Sequence, residues 1–209
     1  MRILVTGGAG SIGSEIVRQV LNFNPKTVVI LDHAETPLHN LCLETANLNS
    51  SANIVAVIAD VRSKKALEKV FKNYNPHVVF HAAAYKHVPM MELCPTEAVR
   101  NNVIGTKIVS DLAVKYNAER FVMISTDKAV RPTNVMGASK RIAELACQAL
   151  AAQADCTTQF SLVRFGNVLG SSGSVVPLFR EQIRRGGPVT VTHKDIIRYF
   201  MTIPEAAQL

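Results

Sequence analysis

The chain has 209 residues, 48% of them hydrophobic, and carries 23 Lys and Arg against 16 Asp and Glu for a formal charge of +7. That is enough apolar material for one well-buried domain, no run approaches the roughly 20 apolar residues of a membrane-spanning helix, and Met1-Arg2 leads straight into a strand rather than a signal peptide. The basic residues are scattered or sit beside acids, without an arginine-rich arm or interleaved aromatics, which argues against a nucleic-acid partner.

The first element is the apolar run Ile3-Leu4-Val5, short and continuous as a buried parallel strand requires, and it is followed by Ile12, Ile16 and Val20 at helical spacing. Between strand and helix lies Gly7-x-x-Gly10-x-x-Gly13. In that context the glycines permit a tight turn, close approach of backbone to a pyrophosphate, and packing of helix on strand. The helix beginning near Ser11 presents first-turn N–H groups and a dipole that favour an anion. A tight β–α turn with no ligand is the bland alternative.

Thr27 to Asp32 reads as a second strand ending in an acid 25 residues after Gly7, near the spacing of the carboxylate that holds an adenosine ribose. Such an acid favours NAD over NADP, with His33 able to soften the preference. A cap on the following turn is the other reading of Asp32. Residues 36–48 offer Leu38, Leu41, Cys42, Thr45 and Leu48 as a helix stripe, and Asn53 to Ala59 is a third strand. Asp60-Val61 then stands where an adenine ring would lie, or simply makes a turn. Ser63 is placed to cap a helix running through Phe71.

A fourth strand, Pro76 to Ala84, ends in Ala82-Ala83-Ala84, small residues that let a cofactor lie close. Lys86-His87-Val88-Pro89 follows in a loop, where the Lys and His either meet substrate or are solvated. Thr96 to Tyr116 reads as one long helix, with Asn102 and Gly105 in its interior against propensity, which suggests a function or a tight contact there.

The fifth strand, Arg120 to Ser125, delivers the chain to Ser125-Thr-Asp-Lys-Ala-Val-Arg-Pro-Thr-Asn-Val-Met-Gly-Ala-Ser-Lys140, where polar groups crowd a strand's carboxyl end. Met136 and Lys140 share a helix face that looks back at Ser125, Thr126, Asp127 and Lys128. A sixth strand near Phe160 to Val163 leads into the loop Arg164 to Ser174, suited to backbone contacts with a phosphate or base, or else a flexible linker. A helix from Ser174 to Arg185, a strand from Pro188 to Thr192 and a helix opened by Pro204 complete the chain. Arg180, Arg184, Arg185, Lys194 and Arg198 gather near the carboxyl end, as a dispersed basic surface or as a cleft for an anionic substrate. Cys42, Cys94, Cys147 and Cys156 show no metal or redox spacing, so no metal is expected and the compartment reads as reducing and cytoplasmic.

With Thr126-Asp127-Lys128, Met136-Gly-Ala-Ser-Lys140, Lys86-His87-Val88-Pro89 and Thr192 to Met201 in view, the chain resembles the extended short-chain dehydrogenase/reductases. Within them it is similar to the bacterial polysaccharide-biosynthesis (CapD-like) nucleotide-sugar 4,6-dehydratases. The resemblance implies a doubly wound α/β, Rossmann-type parallel sheet over residues 1–165 that binds NAD, NADP being the lesser candidate. It implies the start of a small substrate-binding lobe over 166–209. Cofactor contacts follow at Gly7, Gly10, Ser11, Ile12, Gly13, Asp32, Asp60, Val61, Ala82, Ala83, Ala84 and Lys140, and substrate contacts at Lys86, His87, Asn102, Asn167 and Arg198.

The implied substrate is a UDP-sugar, UDP-N-acetylglucosamine. Thr126 holds the oxygen on carbon 4, Lys128 is base at carbon 5 with its pKa depressed, and Asp127 protonates the leaving hydroxyl of carbon 6, carrying a proton when its turn comes. Lys140 holds the nicotinamide ribose. One departure is that Met136 stands where the superfamily has Tyr; within the family this resembles the subtype that retains configuration at carbon 5. The rival readings are a carbon-5-inverting dehydratase, an epimerase, and an NAD-binding regulator without chemistry. Members usually continue for a hundred or more residues, and many carry an amino-terminal membrane region, so a piece of a larger, membrane-anchored and homo-oligomeric protein is expected.

Overall fold

The computed structural model describes residues 1–209 apart from Asn49, Ser172, Ser174, Thr192 and Ile196. Six parallel strands form its main sheet: β1 (Arg2–Thr6), β2 (Thr27–Asp32), β3 (Asn53–Ile58), β4 (Val78–His81), β5 (Arg120–Thr126) and β6 (Gln159–Phe165). Their order, β3-β2-β1-β4-β5-β6, runs outward in both directions from β1 and β4. This is the doubly wound Rossmann-type architecture, whose ligand crevice opens where the order reverses. All six strands run the same way, so Thr6, Asp32, His81, Thr126 and Phe165 end at one edge of the sheet.

Alternation along the strands feeds two cores. Leu4, Val29, Leu31, Val79, Phe121 and Met123 face helices α3 (Lys64–Tyr74), α6 (Thr106–Lys115) and α7 (Val135–Ala151). Ile3, Val5, Val28, Ile30 and Val78 face α1 (Ser11–Leu21) and α2 (Glu35–Ala46). Since both faces are covered, a strand such as β2 is buried at every position and reads as an apolar run from Val28 to Leu31.

Several boundaries differ from the sequence expectation. Helix α2 ends at Ala46, leaving Leu48 exposed. Ser63 occupies the N-cap position of α3 without a side-chain capping bond. Strand β4 stops at His81, because Ala82–Ala84 leave the sheet to run beside the glycine loop. The single helix expected from Thr96 to Tyr116 is three pieces: α5 (Pro95–Ala98), a π-helix over Val99–Gly105, and α6. Between β4 and α5 the short helix α4 (Val88–Leu93) replaces most of the expected loop.

Beyond β6, a two-stranded sheet pairs β7 (Asn167–Val168) with β8 (Phe200–Met201), and α8 (Val175–Arg184) lies between them in sequence. Ser174 and Thr192, ends of an expected helix and strand, fall outside the described residues, and no strand forms over the described residues 188–191. The last helix, α9 (Ile203–Gln208), carries a Thr202/Glu205 capping box and returns to the main domain. Its Ala207 packs on the core beside α1, and Gln19 donates to the Pro204 carbonyl at 3.2 Å. No helix among the described residues is long and apolar enough to cross a membrane.

Candidate active site

A cavity of about 550 Å³ opens at the switch point between β1 and β4. Gly7, Gly10, Ser11, Asp32, Val61, Ala82, Ala83 and Ala84 line it, together with His33, the neighbour of Asp32 already noted, and with Tyr85 and Asn101, which the sequence did not single out. No lysine or arginine is among its lining residues. Gly7 has φ +66°, and a Cβ there would stand 2.5 Å from the Ala83 nitrogen, so only glycine lets the two loops touch. Asp32 holds the loop from the other side, accepting from the Ala9 N–H and the Ala34 N–H at 3.0 Å each. A carboxylate offers about four lone-pair sites, which leaves capacity for ribose hydroxyls. The neutral, small-residue cradle at a helix N-terminus, with an acid at its rim, fits a dinucleotide.

Beneath the loop, His81 is wholly buried. Its Nδ1 lies 2.7 Å from Thr6 Oγ1 and its Nε2 lies 2.9 Å from Thr106 Oγ1. Thr106 spends its one hydroxyl proton on the Asn102 carbonyl at 2.6 Å. Nε2 must therefore carry the imidazole proton, and Thr6 donates to Nδ1. Burial pushes the His81 pKa down to about 3, so the ring is a neutral strut between β1, β4 and α6.

The π-helix explains the two residues that defied helix propensity. Asn102 is fully buried; its amide accepts from the Tyr85 N–H at 2.8 Å and donates to the Tyr85 carbonyl and Ser139 Oγ at 3.0 Å. It is thus a clamp on the cavity wall, and its placement as a substrate contact is corrected. Gly105 admits Val61, whose Cγ2 would stand 2.9 Å from a Cβ at that position. Widened helical turns of this kind concentrate at functional sites.

The polar cluster forms at the carboxyl end of β5. Asp127 Oδ1 accepts from Thr126 Oγ1 at 2.9 Å and from Lys128 Nζ at 3.0 Å, and Lys128 also reaches Asn167 Oδ1 on β7 at 3.3 Å. Burial raises the Asp127 pKa, but the bonds from Lys128 and Thr126 outweigh it and hold the carboxyl below the usual range. Asp127 thus rests as a carboxylate paired with Lys128; the proton expected of it is needed only when the carbon-6 hydroxyl leaves. Helix α7 is capped by Asn134, which accepts from the Gly137 N–H at 2.8 Å. Gly137 lies so close on the Lys128 carbonyl that a Cβ there would overlap it.

Met136 is buried in an apolar cluster with Met91 and Ala98, beside Tyr85. Lys140 is buried behind the cavity, its Nζ donating to the Ile124 carbonyl at 2.7 Å, and burial lowers its pKa to about 8. A lysine whose folded pKa lies below its unfolded value binds fewer protons when folded, so stability rises as pH increases from about 8 toward the unfolded value near 10.4. As pH rises across that window the wild type is expected to gain stability relative to Lys140→Met; identical profiles would contradict the assignment.

Sequence reasoning passed over Glu144, one turn beyond Lys140. It is wholly buried and accepts from Ser125 Oγ at 2.6 Å, from Arg164 Nε and Nη2 at 2.8 and 2.5 Å, and from Arg141 Nη1 at 3.0 Å. Burial raises its pKa, yet these donors prevail and bring it to about 2. The spacing from Lys140 on the same helix face was the available signal.

Other expected residues do not join the site as assigned. Ile12 packs into the core under α1, and Gly13 lies against Gly7 and Gly8 rather than lining the cavity. Asp60 spends both oxygens on Arg62, which also bonds Glu97 at 2.6 Å, and only Val61 reaches the cavity. Lys86 is exposed, and the His87 ring lies against Gly173. Arg198 is exposed and its guanidinium bonds the Ile197 carbonyl, while Arg184 and Arg185 both pair with Glu181.

Known proteins are similar to this chain in sequence and in fold. The family described as "Polysaccharide biosynthesis protein" matches residues 3–209. The capsular polysaccharide biosynthesis protein CapD of Staphylococcus aureus is 54% identical over 208 residues, 99% of this chain and 35% of that protein. The chain thus spans about a third of that relative's length. The X-ray structure of Pen from Bacillus thuringiensis superposes with a TM-score of 0.92 at 37% identity, covering 100% of this chain and 65% of that one. MoeE5 in complex with UDP-glucose and NAD superposes with a TM-score of 0.82 at 26% identity, covering 100% and 70%.

Proposed function

We propose that this chain, which belongs to the polysaccharide biosynthesis protein family, is the NAD-binding catalytic part of a nucleotide-sugar-modifying enzyme. Its reaction is the dehydration of a UDP-linked N-acetylhexosamine, UDP-N-acetylglucosamine, to the 4-keto-6-deoxy sugar for a surface glycan. The observation that carries the reading is the Asp127–Lys128 contact at 3.0 Å, at the carboxyl end of β5 in the same sheet edge as the glycine loop. MoeE5, which holds both UDP-glucose and NAD, supports the ligand classes.

NAD, when bound, supplies the reversible hydride acceptor that chemistry at carbons 4 and 6 requires. The Gly7 loop, the Ala82–Ala84 segment and Val61 would hold it, Asp32 would take the ribose hydroxyls, and Lys140 would turn to the nicotinamide ribose. Thr126 Oγ1 hydrogen-bonds the oxygen on carbon 4. Lys128 removes the proton on carbon 5, and Asp127 protonates the departing hydroxyl on carbon 6. The resting ion pair and this working pair hold the same number of protons; one proton crossing the 3.0 Å contact from Lys128 to Asp127 converts the first into the second. Met136 offers no proton acceptor and fills space.

Proton NMR of the product formed from UDP-N-acetylglucosamine by the full-length protein tests the reading. A 4-keto-6-deoxy product is expected. An epimerised sugar retaining its 6-hydroxyl would favour the epimerase reading, and NAD binding with no sugar product would favour a regulator. The cofactor is tested by calorimetry: because a 2′-phosphate would meet the Asp32 carboxylate, NAD⁺ is expected to bind more tightly than NADP⁺, and equal or reversed affinities would overturn the role of Asp32.

A further inference from the structure

Glu144 occupies a special place in the register of the sheet. Its partners Ser125 and Arg164 are directly paired across β5 and β6. One carboxylate from α7 therefore grips both strands at the same level, two residues before Asp127 and three before Asn167. These are the groups that meet again above it, where Lys128 Nζ bonds Asp127 Oδ1 at 3.0 Å and Asn167 Oδ1 at 3.3 Å. Gly166, between the two arms, lies close enough that a Cβ there would come 3.7 Å from Asp127 Oδ2.

We propose that Glu144 is a positioning residue for the acid/base pair: through Ser125 and Arg164 it braces the β5 and β6 exits, whose ladder ends one pair further at Thr126 and Phe165, and hence the place of Asp127 and Lys128 relative to Asn167. The inference rests on the dehydratase reading above. A wholly buried carboxylate is tolerated only when paired and fully hydrogen-bonded, and four donors meet that need here. Merely fastening α7 to the sheet would not require a charge, since Ala143 and Cys147 already do so from the same helix face. What the carboxylate adds is direction: the bidentate Arg164 fork and the Ser125 hydroxyl fix two strand ends in distance and in angle.

The test is Ser125→Ala, which removes one link and leaves the Glu144–Arg164 fork in place, with Arg141→Gln as the control that removes only the outermost, partly exposed pair. For Ser125→Ala, kcat for keto-sugar formation is expected to fall on the order of tenfold or more, as misplacement of reacting groups does, with KM for the UDP-sugar and the NAD⁺ affinity unchanged. Arg141→Gln is expected to match the wild type. A loss of thermal stability in Ser125→Ala with kcat unchanged would overturn the proposal, as would equal kcat losses in both variants. A second readout needs no turnover: carbon-13 NMR of the Asp127 carboxyl is expected to show an altered titration midpoint in Ser125→Ala, and an unaltered midpoint counts against positioning. If the wild type forms no keto-sugar, the dehydratase reading fails, and the Asp127 titration still decides the positioning role.

Discussion

Lys128→Ala is expected to lower keto-sugar formation by about 10²–10⁴-fold, the usual worth of a general base, while leaving NAD⁺ affinity near that of the wild type. Lys128 sits in the short 3₁₀ turn after β5, away from the lining of the glycine-loop cavity, so its loss leaves the cofactor cradle untouched. The substitution also removes a donor that holds the Asp127 carboxyl below its usual range, so Asp127 should titrate higher in the variant. The variant thus lacks both the base and the neighbour that hands Asp127 its proton. Single-turnover formation of the keto-sugar, measured beside NAD⁺ calorimetry, separates the two effects. Turnover equal to wild type would show that another group removes the carbon-5 proton.

Gly13→Ala is expected to abolish measurable NAD⁺ binding at concentrations that saturate the wild type. Gly13 is buried in the first turn of α1, and a Cβ there would overlap the Gly7 carbonyl and stand 2.8 Å from the Gly8 Cα. Every atom met is backbone, so no side chain can swing aside, and the loop itself must open. Opening it breaks the Gly10 N–H bond to the Gly7 carbonyl at 3.1 Å and withdraws Gly7 from Ala83. Overpacking of this kind costs about 1–3 kcal/mol, against a total stability of about 5–15 kcal/mol for a domain. The variant should therefore fold and fail to bind. Calorimetry with circular dichroism as the check on folding tests this; wild-type affinity would mean that the loop is not the cofactor's seat.

The sheet was legible because its signals are local and repeated: β2 carries the unbroken apolar run Val28 to Leu31, and the glycine spacing stands between a strand and a helix. The cavity lining was legible for the same reason, since Gly7, Asp32 and Ala82–Ala84 each sit at a strand's carboxyl end. Three-dimensional partnerships were not. Nothing in the spacing of Asn102 and Gly105 distinguishes a π-helix from an α-helix, because the extra residue per turn arises from contacts with Tyr85, Ser139 and Val61, which are distant in sequence. Asp60 looked available until Arg62, two residues on, proved to occupy both its oxygens. The resting ion pair of Asp127 was not legible, because it depends on the combined pull of Lys128 and Thr126 rather than on either residue type.

The region between β6 and α9 is fastened at two points. At one end it is continuous with the central sheet, and at the other Ala206 is buried and Ala207 joins the core beside α1. A part hinged at one end swings open like a door, whereas one anchored at both can only bow, like a strap across a palm. Access to the polar cluster is then set by how far that strap arches. One gauge of its arch is the place where Asn167 stands 3.3 Å from the Lys128 ammonium: a flatter strap would shorten that gap and a higher one lengthen it.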